Sequence, residues 1–255
     1  MKKILLLSVS ALFLFSISQA QFKNIFKKDS TGKTGFGKAI QKQKFPNNAS
    51  GSLTTDEVVN GLKEALQVGT EKGTQKLSAV DGFFKDAAIK ILMPPEALKA
   101  ERKLRSLGLG KQVDNAILAM NRAAEDASKS AAPIFINAIK QMSIQDAFGI
   151  LKGSDFAATD YLKEKTTASL TEAFRPVIEN SLRKVDATKY WNTVFTTYNR
   201  FSNEKVNTDL AAYVTEKALA GIFYQVGQEE QKIRKDPVAR TSDLLKKVFA
   251  NAANK

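Results

Sequence analysis

The chain has 255 residues and a formal net charge of +13, with 39 Lys and Arg against 26 Asp and Glu. It contains no histidine and no cysteine. Their absence excludes disulfides, Ser-His-Asp and Cys-His catalytic sites, zinc sites built on His or Cys, and Glu-x-x-His di-iron sites. It also excludes a lipoprotein, which needs a cysteine to acylate. We predict no cofactor and no metal, and any catalysis would have to use carboxylates, Lys, Tyr, Ser or Thr.

The first twenty residues have the three-part pattern of a secretory signal peptide. Lys2 and Lys3 form a short positive segment, an apolar stretch covers residues 4–17, and residues 18–20 (Ser-Gln-Ala) provide a cleavage site. The alternative is a membrane anchor, but a bilayer span needs about 20 apolar residues. We therefore predict cleavage after Ala20 and export to the periplasm or beyond the cell.

Residues 21–52 are predicted to form a flexible basic linker, with seven lysines against Asp29 alone and scattered phenylalanines. This linker is a candidate for contact with an anionic membrane surface, to which each nearby Lys contributes about 1 kcal/mol. The alternative is a solvated spacer. Because the excess charge is concentrated here, the remaining chain is only mildly basic, and we do not expect nucleic-acid binding.

Residues 53–250 show apolar positions spaced by three and four almost throughout, and no sustained alternation. This pattern predicts an all-α fold, a single-domain bundle of about eight to ten helices, followed by a short tail at 251–255. One example is a stripe on one helical face formed by Leu162, Thr166, Leu170, Phe174, Val177, Ile178, Leu182 and Val185.

Capping and helix-breaking residues predict where the helices lie. The expected starts, in chain order, are Thr54 or Thr55, Pro94–Pro95, Ser143, Ser154, Asn207 or Thr208, and Thr241 or Ser242. Short helices are expected over 134–142 and 144–152, and an aromatic-rich helix over 189–201. Pro176 should kink its helix. Asp81 should cap a helix.

Aromatic side chains are assigned mainly to the core. We expect Phe83 and Phe84 to be buried, and the pair Tyr190 and Trp191 to pack in the core because aromatics at helical spacing usually do. The alternative for this pair is stacking on a sugar or a base.

Four blocks of sequence, in order across roughly residues 53–250, resemble a known family. They are Asp81–Phe84 with Ile89–Ile91, Asn121–Glu125 with Ala132–Phe135, Asp146–Thr159, and Tyr213–Thr241. The chain resembles the uncharacterised family catalogued as domain of unknown function 4197, which consists of exported proteins of Gram-negative bacteria. The resemblance implies a helical domain and an envelope location, and it implies no activity.

Two polar clusters on predicted helices are the candidate ligand-binding residues: Asn121, Arg122 and Glu125 in one, and Glu229, Glu230, Arg234 and Arg240 in the other. If the clusters converge, their carboxylates suit a cation and their guanidinium groups suit an anion such as phosphate or carboxylate. The alternative is ordinary i,i+3 and i,i+4 pairing and interhelical tethering. No catalytic residue is predicted.

These observations favour a non-enzymatic envelope protein that binds a ligand or a partner. The alternative is a carboxylate-dependent hydrolase that acts on an envelope component, for which two carboxyl groups must face each other across a cleft.

Overall fold

The structure is a computed structural model that describes residues 53–203, 205–240 and 242–252. Within these ranges the chain forms nine α-helices and no strand, which confirms the predicted all-α class and helix number. The helices are α1 (Thr55–Ser78), α2 (Leu98–Ser106), α3 (Gly110–Ser128), α4 (Ala131–Gln141), α5 (Ile144–Lys152), α6 (Ala157–Lys184), α7 (Ala187–Phe201), α8 (Leu210–Lys235) and α9 (Asp243–Ala252). Single 3₁₀ turns at Pro95–Ala97 and Pro237–Ala239 precede α2 and follow α8.

Some of the sequence predictions concern residues that the structure does not describe. The signal peptide (1–20) and the basic linker (21–52) lie outside the described residues, as do Thr241 and residues 253–255 of the predicted tail.

The core is formed by α1, α3, α6 and α8, in which α3 and α8 each pack on the other three helices, and α4 packs against α1 and α6. The predicted stripe of α6 is confirmed over most of its length, since Leu162, Thr166, Leu170, Phe174, Ile178 and Leu182 are buried and Val177 is partly buried. Burying a side chain of this size stabilises the fold by about 1.5–3 kcal/mol. The helix continues through Pro176. Val185 is 57% exposed, so its predicted place in the stripe is wrong, because the helix ends at Lys184.

Two predicted helix starts carry the expected caps. The Thr54 hydroxyl accepts a hydrogen bond from the Glu57 amide, and the Glu57 carboxylate accepts one from the Thr54 amide in return. Ser143 and Asp146 form the same reciprocal pair at the start of α5. Each cap satisfies amide groups that the first helical turn leaves without partners.

Two other predicted caps are wrong. Ser154 accepts a hydrogen bond from the Phe156 amide but does not cap α6, which begins at Ala157 without a cap from its own preceding residues. Helix α8 is capped by Asp209, whose carboxylate accepts from the Ala212 amide, rather than by Asn207 or Thr208. The Asn207 side chain instead accepts from the Asp209 amide, which is a local turn that competes with capping.

Helix α7 divides its aromatic residues between core and solvent. Trp191 and Phe195 are buried and their rings pack together, as predicted for Trp191. Tyr190 is 64% exposed, so its predicted place in the core is wrong. Position 190 lies about 100° around the helix from position 191, which turns its side chain away from the core.

Across the described part of the chain, no helix combines the length and the apolar character that a bilayer crossing requires.

Candidate functional site

The first polar cluster lies on α3 and holds the segment that connects α1 to α2. Asp81 was predicted to cap a helix, and this is wrong, because residues 79–89 form a series of turns instead. Asp81 adopts a left-handed conformation with φ of 70°. Its carboxylate pairs with Arg122 at 2.6 Å and with Lys85 at 2.8 Å. Hydrogen bonds from Lys85 and Arg122 hold the pKa of Asp81 below its usual range.

Glu125 is buried on α3 and binds the backbone of this connecting segment. One carboxylate oxygen, Oε1, accepts from the amides of Phe83 and Phe84, at 3.1 and 3.2 Å. The other, Oε2, accepts from Arg122 Nη1 at 2.6 Å. Both oxygens of this buried carboxylate are therefore bonded to the protein itself.

Asn121 fixes the same segment further along the chain. Its side-chain oxygen accepts from the Ile91 amide at 2.9 Å, and its nitrogen donates to the Ile91 carbonyl at 2.8 Å. The nitrogen also donates to the carbonyl of Ile117 on α3. This side chain replaces the hydrogen bonds that a neighbouring strand would give to Ile91, so this buried residue of an irregular segment has both backbone groups paired.

Phe83 inserts between the helices at the point where the segment crosses α8. The ring is fully buried, as predicted, and lies where a Cβ on Gly221 would be only 2.5 Å from its Cε1 atom. A Cβ on Gly82 would come equally close to the carbonyl oxygen of Lys76. The two glycines thus allow the close approach of backbone that this turn requires.

The second polar cluster lies near the end of α8 and supplies the missing cap of α6. Glu230 Oε1 accepts from the Ala158 amide at 3.0 Å. Glu230 Oε2 accepts from the Thr159 amide at 2.9 Å and its hydroxyl at 2.8 Å. Arg234 donates to Glu230 and also to the Ile150 carbonyl at the end of α5. A buried carboxylate at the start of a helix is favoured by the helix dipole as well as by these bonds.

The other two predicted residues of this cluster have local roles. Arg240 is buried and donates to the carbonyls of Ile233 and Arg234, so it satisfies acceptors at the C-terminal end of α8. Glu229 accepts from Lys232 at 2.6 Å and from Gln225 at 3.1 Å.

The structure brings the residues of each cluster together but does not join the two clusters. Phe83, which is bonded to Glu125, packs at Gly221 of α8, and Glu230 lies nine residues later. At 1.5 Å per residue this is a separation of about 14 Å along the helix. The role of the seven residues in ligand binding stays a prediction.

A small cavity of about 20 Å³ lies beside the second cluster, lined by Glu230, Arg234 and apolar residues of α1 and α8. Arg122 and Glu125 are not among its lining residues. A space of this size accommodates about one water molecule, so it is too small for an organic ligand.

A larger open groove, of about 440 Å³, lies where α6, α7 and the start of α8 meet. An ion-pair triad forms part of its wall, in which Arg175 donates to Glu179 at 2.9 Å and to Asp209 at 2.7 Å. The backbone hydrogen bond from Ala212, together with Arg175, holds the pKa of Asp209 below its usual range despite partial burial. Both acidic groups of the groove are therefore engaged by one guanidinium group.

The remaining polar side chains of the groove have unused hydrogen-bonding capacity. Arg183 donates to the Asn180 side chain and pairs with no carboxylate of the described residues. Thr188, Asn192 and Thr208 also line the groove, and their side chains bond to no other group in the described ranges. Sequence reasoning missed this site. The i,i+4 spacing of Arg175 and Glu179 is the one feature of this site that the sequence shows. The bond from Arg175 to Asp209 joins residues 34 positions apart, which local spacing does not predict.

Within the described ranges no group of three or more acidic residues is placed to hold a metal ion. Fold and site together define an all-helical bundle domain, in which buried carboxylates hold backbone segments and a polar groove opens between three helices. A family model described as "Protein of unknown function (DUF4197)" matches residues 52–250, and the chain belongs to this family. No curated protein and no solved structure matches the chain.

Proposed function

We propose that this is an exported, non-enzymatic binding protein, and that its groove between α6, α7 and α8 takes a small polar ligand with an anionic group. The observation that carries the proposal is the position of Arg183. Arg183 lines the groove together with Thr188, Asn192 and Thr208, whose side chains have no partner among the described residues. A guanidinium group suits phosphate or carboxylate, and the neutral groups suit hydroxyl-rich ligands.

The arrangement of the buried carboxylates supports binding over catalysis. General acid–base chemistry requires a carboxyl group that is free to exchange a proton with a substrate. Glu125 and Glu230 instead accept hydrogen bonds from backbone amides and from an arginine of their own helix. Both residues therefore maintain the fold.

Calorimetric titration with inorganic phosphate and with glucose 6-phosphate tests the groove. We expect the sugar phosphate to bind more tightly and Arg183→Ala to weaken its binding at least tenfold, since a charge-assisted hydrogen bond contributes about 1.5–3 kcal/mol. Arg200→Ala is the matched control, because Arg200 is exposed on α7 and does not line the groove. Unchanged affinity in Arg183→Ala, or no binding of either compound, would contradict the proposal.

The same titration tests the predicted ligand role of the polar clusters. If they bind an anion or a cation, the double variant Glu125→Gln, Glu230→Gln should lose the signal with phosphate or with a divalent metal. Unchanged binding in a folded double variant would remove these residues from consideration.

The hydrolase alternative has one observation in its favour, since Glu179 and Asp209 line the same groove. Such an enzyme also needs a carboxylic acid that stays protonated near neutral pH, whereas the pKa of Asp209 is lowered. Release of reducing sugar from peptidoglycan, lost in Glu179→Gln and Asp209→Asn, would support the hydrolase.

For the location we propose the periplasm or secretion, with contact between the basic linker and an anionic membrane surface. Support comes from the leader pattern and the seven linker lysines. N-terminal sequencing of the protein recovered from the cell envelope should begin at Gln21. A cytosolic protein that still begins with its leader would refute this.

A further inference from the structure

We infer that the turn between α2 and α3 is a second membrane contact, which places leucines in the surface of an anionic lipid bilayer. This inference is independent of the groove. It also differs from the proposed contact of the linker, because it concerns residues 98–114 of the folded domain.

The turn presents apolar side chains to solvent. Leu107 is 62% exposed and Leu109 is 38% exposed, on either side of Gly108. Gly108 has φ of +80°, and a Cβ built on it would have no atom within 4 Å. The turn therefore reverses the chain in open space at Gly108, with Leu107 largely exposed and Leu109 partly exposed beside it.

Positive side chains lie on both helices that the turn connects. Arg102, Lys103 and Lys111 are exposed and pair with no acidic group of the described residues. The two acidic groups nearest in sequence, Glu101 and Asp114, are both bonded to Arg105, at 2.9 and 2.8 Å. Residues 98–114 carry five Lys and Arg against these two carboxylates, so the charge around the leucines is a net +3.

The combination identifies the partner by its chemistry. Basic side chains are attracted to anionic headgroups, and apolar side chains between them gain by leaving water for the acyl boundary. The open space around Gly108 lets the turn approach a flat surface, as a bilayer offers. Nucleic acid would offer the phosphates but no apolar layer for the leucines.

The absence of cysteine from the chain allows a site-specific test. The full-length variant Leu107→Cys is labelled with an environment-sensitive fluorophore and titrated with vesicles of phosphatidylglycerol and phosphatidylethanolamine, or of phosphatidylcholine alone. Thr197→Cys, at an exposed position of α7, is the matched control. We expect a blue shift at position 107 with the anionic vesicles only, and no shift at position 197.

Charge substitution provides the second measurement. In the labelled Leu107→Cys protein, Arg102→Gln with Lys103→Gln should weaken the apparent affinity about fivefold for each charge removed. Lys163→Gln with Lys189→Gln removes two exposed charges elsewhere and should leave it unchanged.

Three results would overturn the inference. One is a protein that binds the vesicles while the probe at position 107 does not shift, since the linker or leader then accounts for binding. Another is an equal shift with phosphatidylcholine. The third is a shift that depends on protein concentration without lipid, which would assign the turn to contact with a second copy of the chain.

Discussion

Glu125 and Glu230 hold two regions of the molecule with the same chemistry but in different surroundings. Each is buried on a core helix, accepts from two consecutive backbone amides and pairs with an arginine of its own helix. The Arg122 side chain beside Glu125 is 37% exposed and is shared with Asp81. The Arg234 side chain beside Glu230 is only 14% exposed.

The comparison shows that one side chain can replace missing secondary-structure hydrogen bonds in two situations. The Glu125 carboxylate accepts hydrogen bonds from backbone amides of an irregular segment, whereas the Glu230 carboxylate accepts them from amides in the first turn of α6. The ion pair of the second region is less exposed to solvent than that of the first. Removal of one member of a buried ion pair is costly because the other charge is left without compensation.

The largest expected effect is the loss of Glu230. We expect Glu230→Ala to lower the free energy of unfolding by about 3–5 kcal/mol, since Arg234 loses its buried counterion and two amides lose their acceptor. Glu125→Ala should cost less, about 2–3 kcal/mol, because Arg122 keeps Asp81 and reaches solvent. Urea unfolding of both variants measures the difference. Equal losses, or a larger loss for Glu125→Ala, would show that exposure of the arginine does not separate the two regions.

A smaller effect is expected where the first region packs on α8. Gly221→Ala should destabilise the protein by about 1–3 kcal/mol, because the added methyl meets the buried Phe83 ring. Gly149→Ala is the control within a helix, where a Cβ meets nothing within 4 Å. That variant should be more stable than the parent by about 0.5–1 kcal/mol. Thermal unfolding of the two variants measures both effects, and a stabilised Gly221→Ala protein would show that the ring can move aside.

The smallest expected effect is a pH dependence of stability in the region held by Glu125, where Asp81 pairs with Arg122. The pKa of Asp81 is lowered in the folded protein, so its ion pairs stabilise the fold above its ordinary pKa of about 3.9 and are lost as pH falls through the lower, folded value. Asp81→Asn should therefore have a lower Tm than the parent at pH 7. The difference should shrink and disappear as pH falls through the lowered pKa of Asp81, because the parent is then itself protonated. A difference that persists in acid would mean that Asp81 acts through its backbone conformation.

Sequence reasoning succeeded where the deciding interactions are local. The caps at Thr54 and Ser143 each involve a partner three residues away, and the α6 stripe depends only on helical period. It failed at the start of α6, where the capping group is 71 residues distant in Glu230. The prediction that Asp81 caps a helix failed for the same reason. Its left-handed turn is held by Arg122, which lies 41 residues later in the sequence.

The sequence by itself determined the helical class, most helix boundaries, the buried faces and the chemistry that is excluded by the lack of His and Cys. These follow from short-range periodicity and from composition, which need no knowledge of the fold. Only the tertiary structure decided which backbone groups the buried glutamates bind, that the two polar clusters lie apart, and that Arg183 lines a groove. Each of these depends on helices that are distant in sequence and adjacent in space, and no local pattern encodes that adjacency.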